Sequence, residues 1–160
     1  MNNNALFNAR NGALAIGITF TFLGIAGFIP GLVSLPPNAM NTGAPMGADS
    51  MALTAGTDYV AGFVRGFGYL FGIFPTNTLH NFLGVALGLI GLYSATGDRG
   101  TYNYNRFCAV FLPAIALFGL LPATNAVFGT MPIFGNNVWV AAVTGAIALY
   151  STLTDQKPSG

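Results

Sequence analysis

The sequence predicts an all-α membrane protein: four transmembrane helices forming two tandem helical hairpins, a parallel internal repeat, plus a short interfacial helix. Three observations lead there. First, only 6% of the 160 residues are charged and 53% are hydrophobic, with mean hydropathy +0.63, whereas soluble domains carry roughly 25% charged residues. Second, the charges are clustered, so that 11–48, 66–97 and 107–154 contain no Asp, Glu, Lys or Arg. A spanning helix needs about 20 mostly apolar residues. The first two runs therefore hold one helix each, and the 48-residue third run holds two helices and a turn. Third, residues 71–98 align without gaps on 128–155.

The first span reads Gly12 to Ile29, with Arg10 before it and Pro30-Gly31 after it. A secretory signal has an apolar region of about 7–15 residues. Eighteen apolar residues followed by further apolar segments predict a retained helix instead. Residues 31–58 are rich in Pro, Gly and Asn and read as a loop. The stretch 59–74, YVAGFVRGFGYLFGIF, is closed by Pro75 and has Arg65 near its middle. An arginine at bilayer centre costs about 2.5–3.5 kcal/mol, so a short helix in the headgroup zone is expected, its aromatics at the interface.

The second span is Thr78 to Ala95, capped by Asn77 or Thr78. A polar loop, TGDRGTYNYNR, precedes a third span from Arg106 to Leu121, with Pro113 inside it. Residues 122–136 form a tight connection, and the fourth span is Asn137 to Leu153. The whole chain reads as one membrane domain, with repeat one at about 9–98 (carrying the 31–58 insert) and repeat two at about 101–155.

Orientation follows from the bases. Arg10, Arg99, Arg106 and Lys157 fall on the side of the two termini, and Arg65 on the other. Under the positive-inside rule both termini are cytoplasmic. Tyr93, Tyr102, Tyr104 and Tyr150 would mark the cytoplasmic interface and Trp139 the opposite one.

In the repeat, nine of 28 positions are identical, including Phe-Gly-x-x-Pro at the start and Leu-Tyr-Ser-x-x-x-Asp at the end. Gly-x-x-Pro also ends the first span (Gly27 to Pro30) and the third (Gly119 to Pro122). An even number of spans per copy gives both copies the same orientation, unlike the inverted repeats of many transporters.

Gly27-Phe-Ile-Pro30 and the element from Phe74 to Asn81, followed by Gly84, Gly88 and Leu-Ile-Gly-Leu92, carry a resemblance. Together they resemble the small bacterial four-helix membrane proteins grouped as domain of unknown function 4383, over roughly residues 9–155. The resemblance implies the four-helix topology and a bacterial inner membrane, and it implies no activity. The family pattern places another histidine one turn after the first. Here that position is Gly84, and the 38–58 insert is a second departure.

Composition excludes a soluble enzyme, a disordered chain and, at net charge +1, a nucleic-acid binder. His80 is the only histidine. It reads either as a ligand for a metal or pigment magnesium, or as a polar residue capping the second span and hydrogen-bonding the facing hairpin. One histidine lacks the partners a zinc site needs, and its counterpart in the second repeat is Asn137. Cys108 reads as a small buried residue. Asp49 and Asp58 read as solvated. Threonines 19, 21 and 144 are the main polar side chains at mid-membrane and would bond to their own helices.

Gly84, Gly88 and Gly91, Ala141 with Gly145, and Gly17 with Gly24 form smooth stripes. Such stripes let helices approach closely in lipid, within the bundle or against a partner. No ionisable group is expected at mid-membrane, which argues against ion-coupled transport.

The expectation is therefore a non-catalytic protein, not an enzyme. It would be a structural or accessory subunit associating with itself or with other membrane protein subunits. In a photosynthetic organism the larger complex would be a photosystem or antenna assembly and the membrane the thylakoid. Two alternatives stay open: a small transporter or channel for neutral solutes, and a heme- or chlorophyll-binding protein using His80. The sequence requires no cofactor.

Overall fold

The computed structural model describes residues 8–34 and 68–154. The elements there are α1 (Ala9–Ala26), β1 (Val33–Ser34), β2 (Gly68–Leu70), β3 (Phe74–Thr76), α2 (Thr78–Ser94), α3 (Asp98–Leu120) and α4 (Asn136–Thr154). A 3-10 turn, Pro30–Leu32, follows α1. By length and composition α1, α3 and α4 can each cross a membrane, and α2 is an apolar helix of 17 residues. These lengths and compositions mark a membrane protein.

The first two helices start where an asparagine side chain meets their exposed amides. Asn8 Oδ1 accepts the Asn11 N–H at 2.8 Å and opens α1 three residues before the expected Gly12. Asn77 Oδ1 accepts the His80 N–H at 2.8 Å and opens α2 at the expected Thr78. The start of α3 corrects the sequence reading. Residues 98–105, expected as loop, form two helical turns. Asp98 lies in the first turn, where the helix dipole favours an anion. Thr101, Tyr104, Asn105 and Cys108 all face inward from one side of α3.

The segment before α2 is a second correction. Residues 68–76 form a strand, a turn and a strand, where the end of an interfacial helix was expected. β1 pairs antiparallel with β2 (Val33 opposite Leu70), and β2 with β3 (Gly68 opposite Thr76). The chain reverses at Phe71 (φ 54°) and Gly72 (φ 75°), both left-handed, which a continuing helix does not allow. Arg65 and the rest of the expected interfacial helix, the 38–58 insert, Asp49, Asp58, Asp155 and Lys157 lie outside the described residues.

The helices pack as two intimate pairs, α1 with α2 and α3 with α4. In the first pair, a Cβ on Gly17 would stand 2.9 Å from the Leu92 nitrogen, and one on Gly24 2.7 Å from the Asn81 carbonyl. Gly84 faces the Phe20 carbonyl, and Gly88 presses on Thr21. In the second pair the Pro113 ring seats on Gly145. Ala116, Val138 and Ala141 cluster beside it. Gly91 receives the Tyr104 ring, and the Tyr104 hydroxyl donates to the Leu87 carbonyl at 3.1 Å, joining the pairs. Tyr104 is thus turned into the core, where an interfacial position was expected, because Gly91 leaves room for its ring.

The remaining core is built of small side chains: Ala13, Cys108 and Ala148, with Ile16 and Leu112. Large apolar side chains point outward on every helix, among them Phe22, Phe82, Leu89, Val110, Leu117, Trp139 and Val143. Small inside and large outside is the packing expected where lipid, not water, is the solvent.

Candidate functional site

At the end of the bundle where α2 and α4 begin, the two Phe-Gly-x-x-Pro elements meet and exchange hydrogen bonds. Asn77 Nδ2, before α2, donates to the Thr130 carbonyl at 2.8 Å. In return Asn137 Nδ2, on α4, donates to the Pro75 carbonyl at 2.6 Å and to the Pro132 carbonyl at 3.1 Å. Asn136 Nδ2 reaches the Ile73 carbonyl at 3.1 Å. Ile73, Thr130 and Pro132 lie outside regular elements, and Pro75 sits in β3, which pairs on one side with β2. Asparagine amides bond the carbonyls of all four. Both elements also share a left-handed backbone: Phe71 and Gly72 in one, Val127, Phe128 and Gly129 in the other.

Below this clamp a cleft of about 320 Å³ opens between α2 and α3, floored by α4. Its walls are apolar: Phe20, Leu23, Leu70, Phe74, Leu87, Leu112, Ile115, Ile133 and Val140 among them. Leu83, Ile90, Phe107 and Phe111 line it too and are themselves exposed, so they frame its mouth. The Phe107 and Phe111 rings stack at 5.0 Å.

The polar groups in the cleft gather at the clamp end: Thr76, His80, Asn81 and Asn137. No charged side chain lines it. Asn81 is only 2% exposed. One end of its amide accepts from the Thr76 hydroxyl, while Nδ2 has no partner. Exchanging the amide oxygen and nitrogen, which geometry alone assigns, would still leave one end of the amide unpaired. His80 lies beside the Pro132 carbonyl, and its Nδ1 is buried with no hydrogen-bond partner.

The sequence-derived residues distribute as follows. His80 and Gly84 line the cleft, and Gly24 lies beside them at its α1 wall. Ala141 forms part of the α4 floor. Gly17 and Gly88 are in the α1–α2 seam, Gly145 is in the α3–α4 seam, and Gly91 is under Tyr104. Cys108 is buried in the core. Thr144 bonds to its own helix at Val140 O, 2.5 Å away. Thr21 Oγ1 is a correction: it is buried without a partner, pressed against Gly88 in the seam. Among the described residues no three His, Cys, Asp or Glu side chains gather.

Sequence reading missed Asn81, Asn136 and Thr76 as a polar group. The available signal was the density of Asn and Thr around Pro75 and Pro132.

The family model described as Domain of unknown function (DUF4383) matches residues 10–154. The chain belongs to that family. No match was found among curated proteins or among solved structures. In this family member, the quoted Phe74 to Asn81 element forms β3, the α2 cap and the polar end of the cleft.

Proposed function

We propose that this protein is a non-catalytic, four-span integral membrane subunit built from two tandem hairpins, with both termini in the cytoplasm. The observation that carries this reading is the disposition of polar groups. Asn77, Asn136 and Asn137 are engaged with backbone carbonyls of the opposite hairpin, and the outward faces are aliphatic and aromatic. The polar groups of the clamp thus serve assembly of the bundle itself.

The duplicated hairpin is supported by the shared left-handed turns at Phe71-Gly72 and Phe128-Gly129, which are equivalent positions of the repeat. A span of 17 residues in α2 is about 25 Å long, at the short end of the range of about 17–25 residues for spanning helices. The exposed bases Arg10, Arg99 and Arg106 lie on the side opposite the clamp, in keeping with cytoplasmic termini.

Association with itself or with a larger membrane complex runs through the outward aromatic and aliphatic faces, since the glycine stripes lie in the internal seams. Native mass spectrometry of the protein extracted from its own membrane tests this. A homo-oligomer or a stoichiometric co-purifying membrane protein supports the subunit reading. Monomer alone, across mild detergents, overturns it.

A further inference from the structure

The outer face of α3 changes character along its length. Its first turns are polar, and Arg99, Asn103 and Arg106 are exposed there. From Phe107 onward the exposed side chains are apolar, with Val110 and Phe111 following. An open groove runs along this face, lined by Asn103, Arg106, Phe107, Val110, Phe111 and Ala114. The stacked Phe107 and Phe111 rings border both this groove and the cleft. From Asn103 to Ala114 is eleven residues, about 16 Å along the helix. The hydrocarbon of one leaflet is about 15 Å deep, half of the bilayer core. The groove is therefore about as long as one leaflet is deep, with its polar end towards the start of α3.

Arg106 has no counter-charge on its own helix. Tyr102, Asn103, Ala109 and Val110 occupy the three- and four-residue spacings at which a helical ion pair forms. Asp98, the one acid of α3, is eight residues away, about 12 Å along the helix. No Asp or Glu lines the groove. A guanidinium at the edge of the apolar zone is costly without an anion, and its fork of N–H donors fits a phosphate. Asn103, one turn earlier, offers an amide to the same headgroup. Arg99, also exposed, lies seven residues before Arg106 on the same side of the helix and adds positive charge.

Charge decides between occupants. A second copy packed here about a twofold axis, in the same membrane orientation, would set Arg106 against its own counterpart, like charge to like charge. A zwitterionic lipid brings a cationic group that no carboxylate in the groove receives. An anionic lipid satisfies the arginine and covers the apolar length together.

We propose that this groove binds an anionic diacyl phospholipid, its phosphate at Arg106 and Asn103 and one acyl chain along Phe107, Val110, Phe111 and Ala114. The proposal rests on the membrane reading of α3, and not on the number of spans, their orientation or the subunit role. The outward faces of α1, α2 and α4 stay open to association.

The full-length protein in dodecyl maltoside is doped with phosphatidylglycerol carrying a diazirine in one acyl chain, or with phosphatidylcholine carrying the same chains. After irradiation the labelled peptides are mapped by mass spectrometry. The expected result is labelling of α3 between Phe107 and Ala114, about fivefold stronger from phosphatidylglycerol, the worth of one arginine near an anionic lipid surface. Arg106→Gln removes the preference, so that both probes label the groove alike, and Arg106→Lys, which keeps the charge, keeps it. Arg10→Gln, which removes an exposed base from α1, leaves it unchanged. Equal labelling of the groove by the two probes in the parent protein overturns the proposal, as does a preference that survives Arg106→Gln or is lost in Arg10→Gln. Label on the outward faces of the other helices with none in the groove overturns the proposal alone, and a dimer in native mass spectrometry would then assign the groove to a second copy. Label on no helix overturns the membrane reading with it.

Discussion

Replacing Gly24 by alanine probes the seam between α1 and α2. A Cβ at this position would stand 2.7 Å from the Asn81 carbonyl oxygen and 2.7 Å from the Val85 nitrogen. Both are backbone atoms of α2, so no side chain can swing aside. Ordinary contact begins near 3.4 Å, and the helices must part by about 0.7 Å, the difference between 3.4 and 2.7 Å. Overpacking of this kind costs about 1–3 kcal/mol. In water, alanine would recover about 1 kcal/mol through helix propensity. In a membrane or micelle the separated helices remain helical, so little of that gain is available. We expect Gly24→Ala to lose about 1–3 kcal/mol, measured by reversible unfolding in mixed SDS and dodecyl maltoside micelles. Gly31→Ala, where a Cβ meets nothing within 4 Å, is the control and should stay within about 0.5 kcal/mol of the parent. Equal stability of the two variants would refute the close-packed seam.

Further outcomes follow from the clamp. Gly72→Ala and Gly129→Ala meet no close atoms but have φ of +75° and +86°, so each should cost about 1–2 kcal/mol from backbone strain, and similar losses in the same unfolding assay would show equivalent turns. Asn137→Val removes the bonds to the Pro75 and Pro132 carbonyls and should cost about 2–4 kcal/mol. Asn136→Val, whose bond to Ile73 is exposed, should cost under about 1 kcal/mol by the same measure.

The α2 start was legible because an asparagine cap stands directly before an uninterrupted apolar run. The α3 start was hidden by its polarity: 98–105 carries charge, tyrosine and asparagine. Yet the inward residues Thr101, Tyr104, Asn105 and Cys108 follow the i, i+3, i+4, i+7 spacing of a helix face, and that period was there to be read. The small sheet was not. Strands of two or three residues are too short for a period-two signal, and nothing in a phenylalanine announces the left-handed Phe71. His80 stood out by being the sole histidine. Asn81, one residue on, did not, because its unpaired amide is a product of packing against Gly27 and Thr76. The cleft likewise arises from how α2 and α3 meet, a property of tertiary geometry.

The central claim, four crossings with both termini on one side, is tested most directly by cysteine accessibility in sealed membrane vesicles. In a Cys108→Ala background, single cysteines are placed at Gly31, Gly97, Ala123 and Gly160. A membrane-impermeant maleimide added to right-side-out vesicles should label Gly31→Cys and Ala123→Cys. In inverted vesicles it should label Gly97→Cys and Gly160→Cys. Labelling of Gly97→Cys and Ala123→Cys from the same face, or of Gly31→Cys and Gly97→Cys from the same face, would contradict the four-span account.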